Sequence, residues 1–113
     1  MKKLFILLIL TLSTINLYAI DYYSNFISYK ELVDNVWLDW TDWEEYYVKI
    51  SVNDSIIVID NKTYPVKLIE KTDNVTKFKV LNSNKFIRFR FQNDGIKQLY
   101  LDYENIVYVY NLI

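Results

Sequence analysis

The chain has 113 residues, with 13 Lys+Arg, 14 Asp+Glu, no His and no Cys. Without imidazole or thiol there is no histidine base, no cysteine nucleophile, no soft metal ligand and no disulfide, which excludes most nucleophile–base chemistry and zinc-type sites. A formal net charge of −1 gives no basic excess of the kind non-specific nucleic-acid binding needs.

The first segment reads as an export leader. Lys2 and Lys3 form a positive start, Leu4 to Leu12 a short apolar run, and Leu17-Tyr18-Ala19 a small-residue cleavage site after Ala19. Thr11, Ser13, Thr14 and Asn16 interrupt the apolar stretch, leaving it short of the ~20 residues that a membrane-spanning helix needs. The expectation is a bacterial protein exported to the periplasm or secreted, touching the membrane only through its leader during export. Abundant Lys, Asn, Ile and Tyr beside one Gly and one Pro point to an AT-rich genome, and explain turns built on Asn and Asp. Residues 20–113 form one small domain with no covalent staple, so its many aromatic rings must supply the core.

Charge divides this domain. Residues 20–45 carry Asp21, Glu31, Asp34, Asp39, Asp42, Glu44 and Glu45 against Lys30, whereas residues 46–113 have a cationic excess. Ser28 to Trp40 reads as a short helix: Tyr29, Leu32, Val33, Val36, Trp37 and Trp40 recur at helical spacing, and Ser28-Tyr29-Lys30-Glu31 fits a capping box. A strand starting near Val36 is the alternative.

From Tyr46 the period becomes two. Val48, Ile50 and Val52 share a face, and Asn53-Asp54-Ser55 turns into a strand over Ile56–Ile59. Asp60-Asn61-Lys62 leads to Tyr64, Val66 and Leu68 on one face, with Pro65 near the strand start, where a missing N–H is tolerated. After the turn at Lys71 to Asn74, Phe78 and Val80 face in and Lys77 and Lys79 out. Past Asn82–Lys85, Ile87, Phe89 and Phe91 alternate with Arg88 and Arg90. Asn93-Asp94-Gly95 is a hairpin signal, Leu99, Leu101 and Tyr103 follow as an inward row, and Glu104-Asn105 leads to a last strand over Ile106–Leu112. Asn53, Asn61 and Asn74 each open a glycosylation-type tripeptide, read here as surface turns. Both faces of the last strand are apolar, so it is expected to be covered on both sides or to close a barrel. The fold class expected is all-β: an antiparallel meander of six or seven short strands making a small barrel or half-barrel, with the N-terminal helix against it.

A Trp ahead of the first strand, in Asn35-Val36-Trp37, followed by an up-and-down strand series over about residues 35–112, resembles the small secreted lipocalin-like domains of bacteria. Asn35 stands where that family's Gly-x-Trp has Gly. The resemblance implies a barrel with a ligand-holding interior.

Two groups of residues carry candidate binding chemistry. Trp37, Trp40 and Trp43 alternate with Asp39, Asp42, Glu44 and Glu45: indole faces stack on sugars and carboxylates accept from hydroxyls. The competing reading puts Trp37 and Trp40 in the core as a barrel plug and leaves Trp43 the most exposed. Asp39, Asp42 and Glu45 are oxygen donors of the type Ca²⁺ takes, but they lack the calcium-loop spacing and its Gly. Lys67, Lys77, Lys79, Arg88 and Arg90 share outward parity on successive strands and form a basic face. Like charges side by side on a sheet are destabilising, so they call for an anionic partner or internal neutralisation. The function expected is an exported, non-catalytic binding or interaction module without cofactor or metal, its partner a protein, a glycan or an anionic envelope component and not nucleic acid. The alternative is a lipocalin-like carrier of a small hydrophobic ligand. A third reading, a small secreted hydrolase, would need two carboxylates held across a cleft.

Overall fold

The structure, a computed structural model, describes residues 19–113. Apart from Ala19, the expected leader lies outside the described residues. Ten strands follow: β1 (Ile20–Val33), β2 (Val36–Trp37), β3 (Glu44–Glu45), β4 (Lys49–Val52), β5 (Ile56–Ile59), β6 (Lys62–Lys71), β7 (Val75–Val80), β8 (Phe86–Phe91), β9 (Lys97–Asp102) and β10 (Ile106–Leu112). From β4 to β10 each strand pairs antiparallel with the next; β10 then pairs with β1 and β1 with β4. Eight strands therefore close an up-and-down barrel, and the short β2 and β3 attach to β1.

The expected helix over residues 28–40 is not formed. Ser28 to Val33 continue β1, and Asp34 and Asn35 both take left-handed backbone (φ 51° and 63°), making a tight hairpin that sets Val33 opposite Val36 and Leu32 opposite Trp37. Asp and Asn are the non-glycine residues that tolerate this conformation, and two such residues in a row fit the primed turns that match strand twist. Ser28 caps nothing; its hydroxyl donates to the Thr41 carbonyl at 2.6 Å. The alternation that wins is Ile27 and Tyr29 against Ser28 and Lys30, fixed by pairing with Tyr110, Tyr108, Val109 and Val107 of β10. The recruited β1 also raises the expected six or seven wall strands to eight.

The other strands keep the expected parity. Ile50, Ile57, Ile87 and Leu99 are fully enclosed, and Tyr64, Val66, Phe78, Val80, Phe89 and Leu101 complete the layers around them. An eight-stranded barrel is just wide enough for side chains to fill its middle, as here. Both expectations for the last strand hold: β10 closes the ring, and Val107 and Val109, on its outward side, are buried. Residues 38–43 lie across that outer side. Thr41 donates its N–H to the Tyr29 carbonyl (2.9 Å) and accepts the Tyr29 N–H on its hydroxyl (3.0 Å), and Trp40 reaches Tyr100 of β9.

The barrel ends differ. At one, Tyr46 packs on Tyr110, Tyr103 on Tyr108, and the Tyr64 and Tyr103 hydroxyls meet at 3.5 Å. Burial there pushes the Tyr110 hydroxyl far above the ordinary tyrosine range. The other end carries the β4–β5, β6–β7 and β8–β9 turns and the start of β1, and it is open.

Candidate functional site

At the open end the interior widens into a cavity of about 590 Å³. Its walls are Tyr22, Val52, Leu68, Phe78, Phe89 and Phe91, and its rim is Asn53 to Ser55, Lys71 and Thr76. Alternation builds it: Phe78 and Thr76 share the inward face of β7, and Phe89 and Phe91 that of β8. A bulge between Leu68 and Glu70 bends β6 away at the mouth. Tyr22 lies 5.4 Å from Phe89 and 6.2 Å from Phe91 (ring centroids), so the floor is an aromatic cluster over the packed middle. Burial raises the Tyr22 hydroxyl above its ordinary pKa. Volume and lining suit a small apolar molecule, with polar rim groups for one polar end.

The outer wall holds the residues singled out in the sequence. Trp37, Trp40 and Trp43 do not plug the barrel; they sit outside it and are 42%, 42% and 48% exposed. They lie outside because the Asp34-Asn35 turn folds their segment back along β1, whose inward side is already occupied by the ring. Lys30, on the outward side of β1, holds its ammonium 5.2 Å from the Trp37 ring and 4.8 Å from the Trp40 ring. Trp43 borders a shallow cleft of about 380 Å³ with Phe26, Ile96, Gln98 and Asn111. Asp39, Asp42, Glu44 and Glu45 are exposed around the three indoles. Among the described residues, no group of three His, Cys, Asp or Glu side chains is placed to hold a metal ion, and Asp39, Asp42 and Glu45 form no such group.

The basic residues take their expected outward places. Lys67 pairs with Lys79, and Lys77 with Arg88, directly across the ladder. One of the five is neutralised internally: Arg88 donates to both oxygens of Asp102 (2.6 and 3.3 Å) and lies over the Tyr100 ring at 4.4 Å. Lys77 sits over Phe86 at 4.6 Å. Among the described residues Lys67, Lys77, Lys79 and Arg90 have no carboxylate at ion-pair distance.

Sequence reasoning missed Lys30, Phe86, Tyr100 and Asp102. The last three are within its reach, because a hairpin centred on Asp94 sets Arg88 against Tyr100 and Phe86 against Asp102. The cavity has no local signal, since its walls come from five strands spread over most of the domain. No protein-family model, no curated protein and no solved structure matches this chain.

Proposed function

We propose that this chain is an exported, non-catalytic binding module that holds a small apolar molecule in the open end of its barrel, in the manner that the resemblance to lipocalin-like domains implies. The observation that carries the reading is the cavity of about 590 Å³ between Tyr22, Val52, Leu68, Phe78, Phe89 and Phe91. Its apolar lining, and not its size, singles it out: a space of about 600 Å³ also lies beside Tyr103 and Tyr108, but Lys62, Asn84, Lys85 and Glu104 border that one. A polar ligand would strand its hydrogen-bonding groups against this lining, which is a reason to choose an apolar one.

The test is a fluorescence titration with the neutral apolar probe N-phenyl-1-naphthylamine. The wild type is expected to bind it with blue-shifted emission. Leu68→Trp, which fills the mouth from a half-exposed position, is expected to weaken binding at least tenfold, about 1.4 kcal/mol. Trp43→Ala, on the outer wall, is expected to leave it unchanged. A wild type that does not bind the probe, or binding lost in Trp43→Ala and kept in Leu68→Trp, overturns the reading.

A further inference from the structure

The outer wall of the barrel carries two patches whose charges are opposite and whose chemistry matches. The first is the indole and carboxylate strip over β1 and β10, with Trp37, Trp40 and Trp43 half exposed among Asp39, Asp42, Glu44 and Glu45. Such a surface receives ammonium and guanidinium groups, because carboxylates attract the charge and indole faces attract cations through their quadrupole. It already does so within the molecule, where the Lys30 ammonium rests between the rings of Trp37 and Trp40. The second patch is the β6–β8 wall, where Lys67, Lys77, Lys79 and Arg90 project with Glu70 among them. Lys67 directly opposite Lys79 costs stability in the isolated chain, and Arg88 shows how a neighbouring carboxylate relieves such a placement.

The strip lies over β1 and β10 and reaches β9 through the contact of Trp40 with Tyr100, while Lys67, Lys77 and Lys79 project from β6 and β7 beyond β8; among the described residues no carboxylate of the strip is at ion-pair distance from them. We propose that the cationic β6–β8 wall of one copy docks on the Trp and carboxylate strip of a second copy of this chain. Lysine and arginine side chains would lie against the exposed faces of the indoles, beside the space that Lys30 fills, and Asp39, Asp42, Glu44 and Glu45 would face them. A single contact between unlike patches leaves a free strip on one copy of the pair and a free cationic wall on the other. Copies therefore add in series, as an open chain or a ring, and do not stop at a twofold dimer. The cavity at the barrel end takes no part, so this assembly and the ligand reading stand or fall separately.

The experiment is sedimentation equilibrium of the purified protein over a concentration series, at about 0.05 M and about 0.5 M salt, which shortens the screening length from roughly 14 Å to roughly 4 Å. The wild type is expected to grow beyond dimer with concentration at low salt and to dissociate at high salt. Lys79→Glu with Arg90→Glu makes both patches acidic, and Asp42→Lys with Glu45→Lys makes both basic. Each double variant alone is expected to remain monomeric, and an equimolar mixture is expected to co-assemble, a rescue that damaged folding would not give. A wild type that is monomeric through about 1 mM at low salt overturns the proposal and leaves the face to a foreign partner. Reversed variants that assemble alone, a mixture that stays monomeric, or a wild type that stops at dimer also overturn it.

Discussion

Ser24→Ala removes one oxygen atom and leaves almost no cavity, yet it is expected to be among the costlier small changes in this protein. Ser24 is 1% exposed and stands where β1 passes from pairing with β4 to pairing with β3, beside the irregularity between Ser24 and Phe26. Its hydroxyl donates to the Tyr46 carbonyl at 2.6 Å and accepts the Val48 N–H at 3.0 Å, two backbone groups in the link between β3 and β4. The bond lost at Tyr46 is worth about 1 kcal/mol net, and the Val48 N–H, left in a partly buried site, loses an acceptor at about 1–2 kcal/mol. The sum is about 2–3 kcal/mol, a large share of the 5–15 kcal/mol that stabilises a typical domain, and it lowers Tm by roughly 10–20 °C. Ser28→Ala is the control. It removes the same atom from a residue as buried as Ser24, but its partner Thr41 is exposed and its carbonyl turns to water, so about 0.5–1 kcal/mol is expected. Denaturant unfolding followed by tryptophan emission measures both. A loss at Ser24 below about 0.5 kcal/mol, or one no larger than at Ser28, refutes the assignment of Ser24 as a bridge across the strand junction.

Three further outcomes are expected. Ile87→Ala, at a fully enclosed position, lowers unfolding free energy by about 2–5 kcal/mol, whereas Ile96→Ala, 41% exposed, stays within about 0.5 kcal/mol in the same assay. Gly95→Ala costs about 1 kcal/mol although a methyl group there would meet only open space, because the backbone at φ 88° is strained for any L side chain; Gly95→Asn, better suited to that region, costs less by thermal melting. Tyr110 keeps its proton in the folded barrel at pH values where the unfolded chain, with a tyrosine pKa of 10.0, has lost it. Stability attributable to this group is complete below pH 10 and falls above it by about 1.4 kcal/mol per pH unit; urea midpoints from pH 9 to 12 should show a slope at least this steep, and Tyr110→Phe should reduce it, leaving the share of Tyr22, Tyr46 and Tyr103, whose hydroxyls are also raised.

The residues that alternate cleanly announce their strands. Ile87, Phe89 and Phe91 against Arg88 and Arg90, or Leu99 and Leu101 against Gln98 and Tyr100, can bury one side only as strands, and the barrel follows from stringing such hairpins together. Ser28 to Trp40 misleads for a physical reason. Its apolar residues recur at three and four, a spacing a helix uses, but neighbouring apolar positions such as Leu32–Val33 and Val36–Trp37 also serve a strand with both sides in use. What decides is pairing with β10, almost the length of the chain away, and a turn whose Asp34-Asn35 signature is as legible as Asn93-Asp94-Gly95 once the helix is set aside. The same ambiguity points Trp37 and Trp40 inward. Parity alone places the basic residues correctly, but the neutralising bond from Arg88 to Asp102 depends on hairpin register, and the open cavity on the bend in β6 beside Leu68, which no residue pattern marks.

Ring closure between β1 and β10 has a kinetic side. Every other wall contact from β4 to β10 joins strands a short turn apart, while Ser24 meets Leu112 only after nearly the whole domain has been made. Closing a loop ten times longer than a hairpin costs about 2 kcal/mol more in chain entropy, so this seam is expected to form late in folding. During synthesis, until β10 emerges, β9 and β1 are unpaired edges and the inward side of β1 faces water. A chain held at that stage is an open sheet with two adhesive borders, and its fate rests on how soon the last strand arrives.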